Sequence, residues 1–123
     1  SLQPGRLLDT RAPGGATVDG QFQQLGTSSA EGEIALQVTG RGGVPAGASA
    51  AVLNVTVVDA QGPGFVTAWP CDEPRPNASS LNFAAGQTVP NAVVVKLSAA
   101  GTVCLYNALS SVDLLADVNG YFP

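Results

Sequence analysis

Few residues of this chain could do chemistry, and the most versatile type is missing. None of the 123 residues is histidine, which excludes Ser-His-Asp and Cys-His catalytic groups and the HExxH metal site. A Ser-Lys pair would have to use Lys96, which lies within an apolar strand pattern. Two carboxylate pairs are candidates for glycoside hydrolysis, Asp72 with Glu73 and Asp113 with Asp117. The first pair points apart on an extended chain and the second shows no sign of a substrate, so we predict that the protein is not an enzyme.

The second acidic pair could instead hold a calcium ion, because carboxylate and amide oxygens are the ligands that calcium prefers. Asp113, Asp117 and Asn119 alternate along one extended segment and therefore share a face. No dense DxDxD loop accompanies them, so side chains bonded to solvent or to the backbone are the favoured interpretation. We predict no metal and no cofactor, with calcium near Asp113 and Asp117 as the open alternative.

The most charged segment is a proline-rich loop at residues 70–77 (PCDEPRPN), which directly follows the sole tryptophan, Trp69. Sugars stack on aromatic rings and form hydrogen bonds with carboxylate, amide and guanidinium groups. Trp69, together with Asp72, Arg75 and Asn77, supplies both kinds of contact. These four residues are therefore the predicted ligand-binding site, for a glycan. The alternative is that Trp69 packs in the core.

Alternation along the strand before this loop predicts the direction of Trp69. Phe65, Thr67 and Trp69 fall on one face of an extended chain, and Phe65 is expected in the core. Trp69 should therefore point inward at the end of its strand, mostly buried but bordering the site. Its indole N–H then needs a hydrogen-bond partner.

Cys71 and Cys104 are the two cysteines of the chain. Two cysteines without histidine make a poor zinc site, which leaves two buried free thiols or one disulfide. Each cysteine lies at or near the second strand of one of two similar β units described below, so we predict a disulfide that links the units. A disulfide is typical of an oxidising, extracytoplasmic environment, and we therefore expect a secreted or cell-surface protein.

The elements that position these residues are extended. Residues 51–58 (AVLNVTVV) alternate, a Gly-Pro-Gly turn follows at residues 62–64, and residues 65–69 (FVTAW) alternate again, which predicts a β-hairpin. Residues 91–97 (NAVVVKL) and 102–106 (TVCLY), separated by Ala-Ala-Gly, form a looser copy of this unit. Two similar hairpins predict one two-layered β core.

Shorter strands are expected in the rest of the chain, at residues 6–11 (RLLDTR), 33–39 (EIALQVT), 79–83 (SSLNF) and 111–122. The first segment places Asp9 and Arg11 on one face, where we expect a local salt bridge. The last segment is expected to turn Leu114, Val118 and Phe122 toward the core and to close it. Between the first two segments we expect a long surface connection with at most one edge strand.

This pattern predicts an all-β fold. Roughly seven to nine short antiparallel strands with Gly and Pro turns, and no capped amphipathic helix, are typical of a β-sandwich of jelly-roll or Greek-key type. A closed barrel is the alternative. The length of 123 residues fits a single domain, residues 1–123.

Composition narrows the range of partners. Charged residues make up 11% of the chain and the net charge is −4, whereas about 25% charged residues is usual for soluble domains. The five basic residues are scattered singly, so no basic stripe is available to bind nucleic acid. No apolar run approaches the roughly 20 residues needed to span a bilayer, and no signal peptide is present. We therefore expect no membrane insertion, and a mature or excised domain.

Seven motifs are distributed over nearly the whole chain: RLLDTR (6–11), VTGRGGVP (38–45), LNVTV (53–57), GFVTAWP (64–70), SLNF (80–83), TVPNAVVVKL (88–97) and LLADVNGYF (114–122). Together they resemble a repeat module of large secreted and cell-surface proteins of actinobacteria, and the first and last motifs are the most specific. The resemblance implies extracellular or surface placement and an accessory role. It carries over no catalytic or ligand-binding residue.

Two functions are compatible with these features. The first is a non-catalytic extracellular binding or adhesion module that recognises a glycan or another cell-surface polymer, such as a cell-wall polysaccharide. The second is a structural spacer or stalk repeat with no ligand of its own. The exposure of Trp69 in a concave surface, and binding to chitin, peptidoglycan or glucans, would distinguish the two.

Overall fold

The chain folds into eight β-strands in a computed structural model that describes residues 2–123. No helix in this part of the chain is long and apolar enough to cross a membrane. The strands are β1 (Gly5–Asp9), β2 (Gly32–Gln37), β3 (Ala50–Val58), β4 (Gly64–Pro70), β5 (Leu81–Phe83), β6 (Val89–Lys96), β7 (Thr102–Ala108) and β8 (Asp113–Phe122).

The strands form two four-stranded sheets, in the orders β1-β8-β3-β6 and β2-β7-β4-β5. β1 pairs with β8, β2 with β7, β3 with β6 and β4 with β5, all antiparallel. The chain is therefore one long hairpin rolled into two layers, which is the strand order of a jelly roll. The predicted all-β sandwich is confirmed. The alternative of a closed barrel is wrong, because each sheet ends in edge strands.

The core lies between the two sheets and is built from one face of each strand. In β3, Ala51, Leu53, Val55 and Val57 are at most 1% exposed and alternate with half-buried residues, as predicted. β8 and β6 pair with β3 on its two sides. Burial of each such Val or Leu side chain contributes roughly 1.5–3 kcal/mol, so this central strand is a major source of stability.

The two predicted hairpins are wrong, because the strands of each unit lie in opposite sheets. β3 pairs with β6 and β8, whereas β4 pairs with β5 and β7. The connection at residues 59–63 therefore crosses from one sheet to the other, and Asp59 turns the chain there with a φ of 59°. The connection between β6 and β7 crosses in the same way. The two units pair with each other, strand by strand, and so form the predicted two-layered core.

Because β4 belongs to the second sheet, its inner face is opposite to the predicted one. Val66 is fully buried in the core, and Ala68 packs against the core residues. Phe65, Thr67 and Trp69 therefore lie on the outer face of the sheet. The expectations that Phe65 lies in the core and that Trp69 points inward are wrong. The pattern misleads here because both faces of β4 carry apolar side chains.

The last strand closes the core as predicted, but a β-bulge reverses the face of its end. The register between β3 and β8 shifts between Val118 and Gly120, so β8 contains one additional residue there. Tyr121 consequently packs against the core. Phe122 is 49% exposed, and the expectation that it faces inward is wrong.

The connection at residues 10–31 is irregular, and the edge strand considered for it is not formed. Gln23 makes only an isolated bridge with Asp9. Phe22 has a positive φ of 55°, which interrupts an extended chain. Asp9, which is 1% exposed, pairs with Arg11 at 2.8 Å, so the predicted local salt bridge is confirmed.

A buried arginine fastens this connection to the sandwich. Arg41 is 4% exposed, and its guanidinium pairs with both carboxylate oxygens of Asp19 at 2.8 and 2.9 Å. It also donates hydrogen bonds to the carbonyl oxygens of Leu7, Gln21 and Gln37, at 2.9, 3.1 and 2.8 Å. The hydrogen bond from Arg41 holds the pKa of the Asp19 carboxyl well below its usual value. Arg41 thus joins β1, the end of β2 and the connection in one network.

Arg41→Ala should destabilise the domain strongly. Three carbonyl oxygens and the Asp19 carboxylate lose their donor, and each hydrogen bond that involves a charged group contributes roughly 1.5–3 kcal/mol. We expect urea unfolding to show a loss of at least about 3 kcal/mol.

The matched control is Lys96→Ala, which removes the ion pair with Glu73. That pair is 3.1 Å long, and its side chains are 71% and 48% exposed. Exposed pairs contribute about 0–1 kcal/mol, so the control should unfold almost like the unmodified protein. Similar losses for the two variants would contradict the role assigned to Arg41.

Candidate ligand-binding groove

The outer face of the β2-β7-β4-β5 sheet carries a groove of about 300 Å³. The strands contribute the side chains of Phe65, Thr67, Asn82 and Tyr106, and the loop between β4 and β5 contributes residues 75–79 (RPNAS). None of these lining residues is acidic. The groove therefore combines aromatic rings, amides and hydroxyl groups with a single formal positive charge.

The register of the strands explains why these side chains meet. Thr67 of β4 lies opposite Tyr106 of β7, and Phe65 lies opposite Asn82 of β5. Directly opposed residues of antiparallel strands point to the same face. The rings of Phe65 and Tyr106 are in edge-to-face contact, with their centroids 6.5 Å apart at an angle of 60°. They give the groove an aromatic surface.

A disulfide attaches the loop at residues 71–80 to the sheet. Cys71 follows β4 and Cys104 lies in the neighbouring β7, with their Cα atoms 5.0 Å apart. The predicted disulfide between the two β units is confirmed, and residues 2–123 contain no free cysteine. Its sequence separation of 33 corresponds to a stabilisation of about 3–4 kcal/mol by the loop-entropy relation.

Trp69 lies beneath this loop. It is 5% exposed, so the prediction that it is mostly buried is confirmed, although it is covered by the loop and not by the core. Its indole Nε1 donates a hydrogen bond to the carbonyl oxygen of Glu73 at 3.0 Å, which provides the partner that a buried indole needs. Trp69 does not line the groove. Trp69 instead supports the loop that lines the groove.

Two further hydrogen bonds hold the loop on the sheet. Asp72 Oδ2 accepts a hydrogen bond from the backbone N–H of Ala99, in the connection between β6 and β7, at 2.9 Å. The hydroxyl of Thr67 donates to the carbonyl oxygen of Ala78 at 2.8 Å. Hydrogen bonds to charged acceptors contribute roughly 1.5–3 kcal/mol in favourable settings. The loop is therefore anchored at its beginning and at its end.

The four residues predicted to bind a ligand thus divide into two pairs. Arg75 and Asn77 line the groove. Trp69 and Asp72 hold the loop in position from below and from the side. The sequence pattern selects a loop that borders the groove, but it does not separate the residues that face the groove from those that fix its shape.

Four strand residues of the groove are not predicted by sequence reasoning: Phe65, Thr67, Asn82 and Tyr106. Alternation places Phe65 and Thr67 on the inner face of a hairpin that does not form. A signal for Tyr106 exists, because it lies two residues after Cys104 and therefore on the same strand face. A disulfide from the loop to Cys104 brings the loop close to Tyr106.

The electrostatics of the groove centre on Tyr106. The guanidinium carbon of Arg75 lies 3.7 Å from the centroid of the Tyr106 ring, which is a cation–π stack. The Tyr106 hydroxyl donates a hydrogen bond to the Glu31 carboxylate, which also accepts one from the backbone N–H of Leu109 at 2.9 Å. The hydrogen bond from Tyr106, followed by that from Leu109, holds the pKa of Glu31 below its usual value. The same bond to Glu31 raises the pKa of Tyr106.

The carboxylates considered for calcium are bonded to protein groups. Asp117 accepts hydrogen bonds from Arg6 Nε and Nη2 at 2.8 and 3.3 Å, and Asp113 accepts one from the Thr10 hydroxyl at 2.7 Å. Residues 2–123 contain no group of three or more His, Cys, Asp or Glu residues that could hold a metal ion. These contacts stabilise the junction of β1 with β8.

Trp69→Ala should destabilise the domain by about 3 kcal/mol or more, because truncation of a large buried aromatic residue costs about 3–5 kcal/mol. Phe122→Ala is the matched control, since Phe122 is 49% exposed and should change the free energy of unfolding much less. Urea unfolding of both variants measures the difference. A Trp69→Ala variant as stable as the control would contradict the role of Trp69 as the support of the loop.

Tyr106 should titrate above the ordinary tyrosine pKa of about 10 in the folded protein. Because its folded pKa is raised, its contribution to stability is present below pH of about 10 and is lost as the pH rises through the raised pKa. The chain has two tyrosines, so phenolate absorbance in a Tyr121→Phe background reports on Tyr106 alone. Glu31→Ala should lower that pKa toward 10, and an unchanged titration would show that Glu31 does not hold the Tyr106 proton.

No protein-family model matches this chain, and no curated protein matches it with significant similarity. The resemblance to the actinobacterial surface module therefore stays a prediction. What the domain does has to be inferred from the groove and from the residues that shape it.

Proposed function

We propose that this domain is a non-catalytic extracellular binding module that recognises a glycan of a cell surface or cell wall. The observation that carries the proposal is the groove, in which two aromatic rings lie beside amide and hydroxyl groups. A saccharide presents apolar C–H faces together with hydroxyl groups, so it requires both kinds of contact in one concave site.

Each kind of contact has identifiable residues. The Phe65 ring, with the part of the Tyr106 ring that the Arg75 guanidinium leaves uncovered, offers an apolar surface for a sugar face. Asn77 and Asn82 are exposed at the groove, and each side-chain amide offers donors and an acceptor. An amide can therefore pair with a sugar hydroxyl in either direction. A groove of about 300 Å³ lies at the small end of the range of small-molecule sites.

The groove is also held rigidly, which favours binding. The Cys71–Cys104 disulfide and the Trp69 side chain fix the start of the loop, and Pro74 and Pro76 restrict its backbone. A ligand that enters a preorganised site does not have to order the loop, so less of its binding free energy is lost.

Extracellular placement is supported by two features. The disulfide is typical of proteins in oxidising compartments. The seven sequence motifs resemble a module of secreted and cell-surface actinobacterial proteins. An adhesion or accessory role, beside other domains that do the chemistry, fits a binding groove in a chain without histidine.

Titration with soluble fragments of chitin, peptidoglycan and α- and β-glucans tests this function. We expect at least one fragment to bind and to shift NMR signals of the groove. Phe65→Ala and Asn82→Ala should each weaken binding by about tenfold, which equals about 1.4 kcal/mol, since each removes one contact surface. Asn82 is exposed, so its variant should keep the fold even if Phe65→Ala does not.

Val94→Ala is the control, because Val94 is 67% exposed on β6 of the other sheet and should not affect binding. Equal weakening by Val94→Ala would show that binding is not at the groove. A failure of every fragment to bind would contradict the proposed function and would favour the structural spacer.

A further inference from the structure

We infer that the groove takes an acidic saccharide and that Arg75 binds its carboxylate group. This inference rests on the proposed glycan-binding function and specifies the class of sugar. It follows from the charge of one side chain, the position of that side chain in the groove and the pairing of every other cation of the described chain.

Arg75 is the basic residue that forms no ion pair with a carboxylate of the described chain. Arg6, Arg11, Arg41 and Lys96 each pair with a carboxylate, at 2.8, 2.8, 2.8 and 3.1 Å. Within residues 2–123, Arg75 alone among the five basic residues has no carboxylate within ion-pair distance. Its charge is therefore available to a ligand.

Arg75 is nevertheless held in place. The Tyr106 ring lies under its guanidinium at 3.7 Å, and prolines at positions 74 and 76 restrict the backbone on both sides. A stacked ring covers one face of the guanidinium, whereas the N–H groups lie in its plane and project outward. A positioned, unpaired fork of N–H donors matches the two oxygens of a carboxylate.

The surroundings of Arg75 favour an anion inside the groove and disfavour anions elsewhere. No acidic residue lines the groove, although the net charge of the chain is −4. Polyanions should therefore not adsorb generally to the surface. A saccharide with a carboxylate would meet the one local positive charge while its ring contacts the aromatic residues.

Glu31 is the acidic group that acts on this site. The hydrogen bonds from Tyr106 and Leu109 lower the pKa of Glu31 most, and the charge of Arg75 adds to them, although the two groups form no ion pair. The Glu31 carboxylate is already bonded to the Tyr106 hydroxyl and to the Leu109 N–H. Glu31 should therefore oppose a bound anion weakly, and neutralising it should strengthen binding of an acidic sugar.

Matched oligosaccharides test the inference directly. The probes are trimers of galacturonate and galactose, and of glucuronate and glucose, which differ in each pair by a carboxylate in place of a hydroxymethyl group. A sulfated galactose trimer separates carboxylate from sulfate. We expect the acidic member of at least one pair to bind about tenfold more tightly than its neutral partner, as a charge-assisted contact does. Added salt should reduce the difference.

Four variants assign the effect to Arg75, with thermal melts to verify the fold. Arg75→Gln should reduce the affinity for the acidic trimer to that of its neutral partner, and Arg75→Lys should retain only part of the preference, because it lacks the planar fork. Glu31→Gln, which keeps a hydrogen-bond acceptor for Tyr106, should raise affinity for the acidic trimer alone. Lys96→Gln, which removes an exposed cation outside the groove, should change nothing.

The outcomes separate the inference from the function on which it rests. If neutral trimers bind as well as acidic ones, or if Arg75→Gln keeps the preference, the inference is overturned and the glycan-binding function stands. Tighter binding of the sulfated trimer than of both uronate trimers would overturn the assignment of a carboxylate. If no saccharide binds, neutral or acidic, the proposed function itself fails.

Discussion

The groove depends on the attachment of a polar loop to the outer face of a sheet. Residues 71–80 contain only small or polar side chains and prolines around one cysteine, so the loop cannot bury enough apolar surface to hold itself in place. The Cys71–Cys104 bond, the Trp69 side chain beneath it and the contact of Asp72 with the backbone fix the loop instead. Without these anchors, the outer sheet face would be an open surface with no concave site.

The other long connection, residues 10–31, is also held by specific contacts, but these are non-covalent. The core is well filled by alternating strands, but the connection at residues 10–31 contributes few large apolar side chains. Arg41 replaces the missing packing with five charge-assisted hydrogen bonds. Its buried charge is acceptable because Asp19 and three carbonyl oxygens satisfy its donors. The loops of this domain are thus fixed by specific polar or covalent contacts, while hydrophobic burial stabilises the strands.

The burial pattern along a single strand can be predicted from this sequence, whereas the pairing between strands cannot. Alternation in β3 reports burial on one face, and this is a property of a single strand, so it is read correctly from the sequence. Which strand pairs with which is a non-local property, and a five-residue connection can turn back beside β3 or cross to the other sheet. The predicted hairpin places β4 beside β3 in one sheet, and this reverses the predicted faces of Phe65 and Trp69. The disulfide is nevertheless predictable, because pairing the second strands of the two units brings Cys71 close to Cys104. Tyr106 can be placed near the loop through the disulfide, whereas Asn82 has no local signal and is placed in the groove only by the pairing of β4 with β5.

The separation between anchoring and lining residues bears on whether the domain is a spacer or a binding module. A spacer needs a stable sandwich, and Arg6, Arg11 and Arg41 serve that purpose through ion pairs with largely buried carboxylates, whereas the exposed pair of Lys96 contributes little. Stability alone does not require a fifth cation stacked on Tyr106 beside unpaired amides, because exposed stacks of this kind contribute only about 0.5–1 kcal/mol. The anchored loop brings Arg75, Asn77 and the outward face of β4 together at one concave surface. The stabilising contacts lie beneath the loop, and the unpaired polar groups lie above it. This arrangement favours recognition of a ligand over a purely structural role.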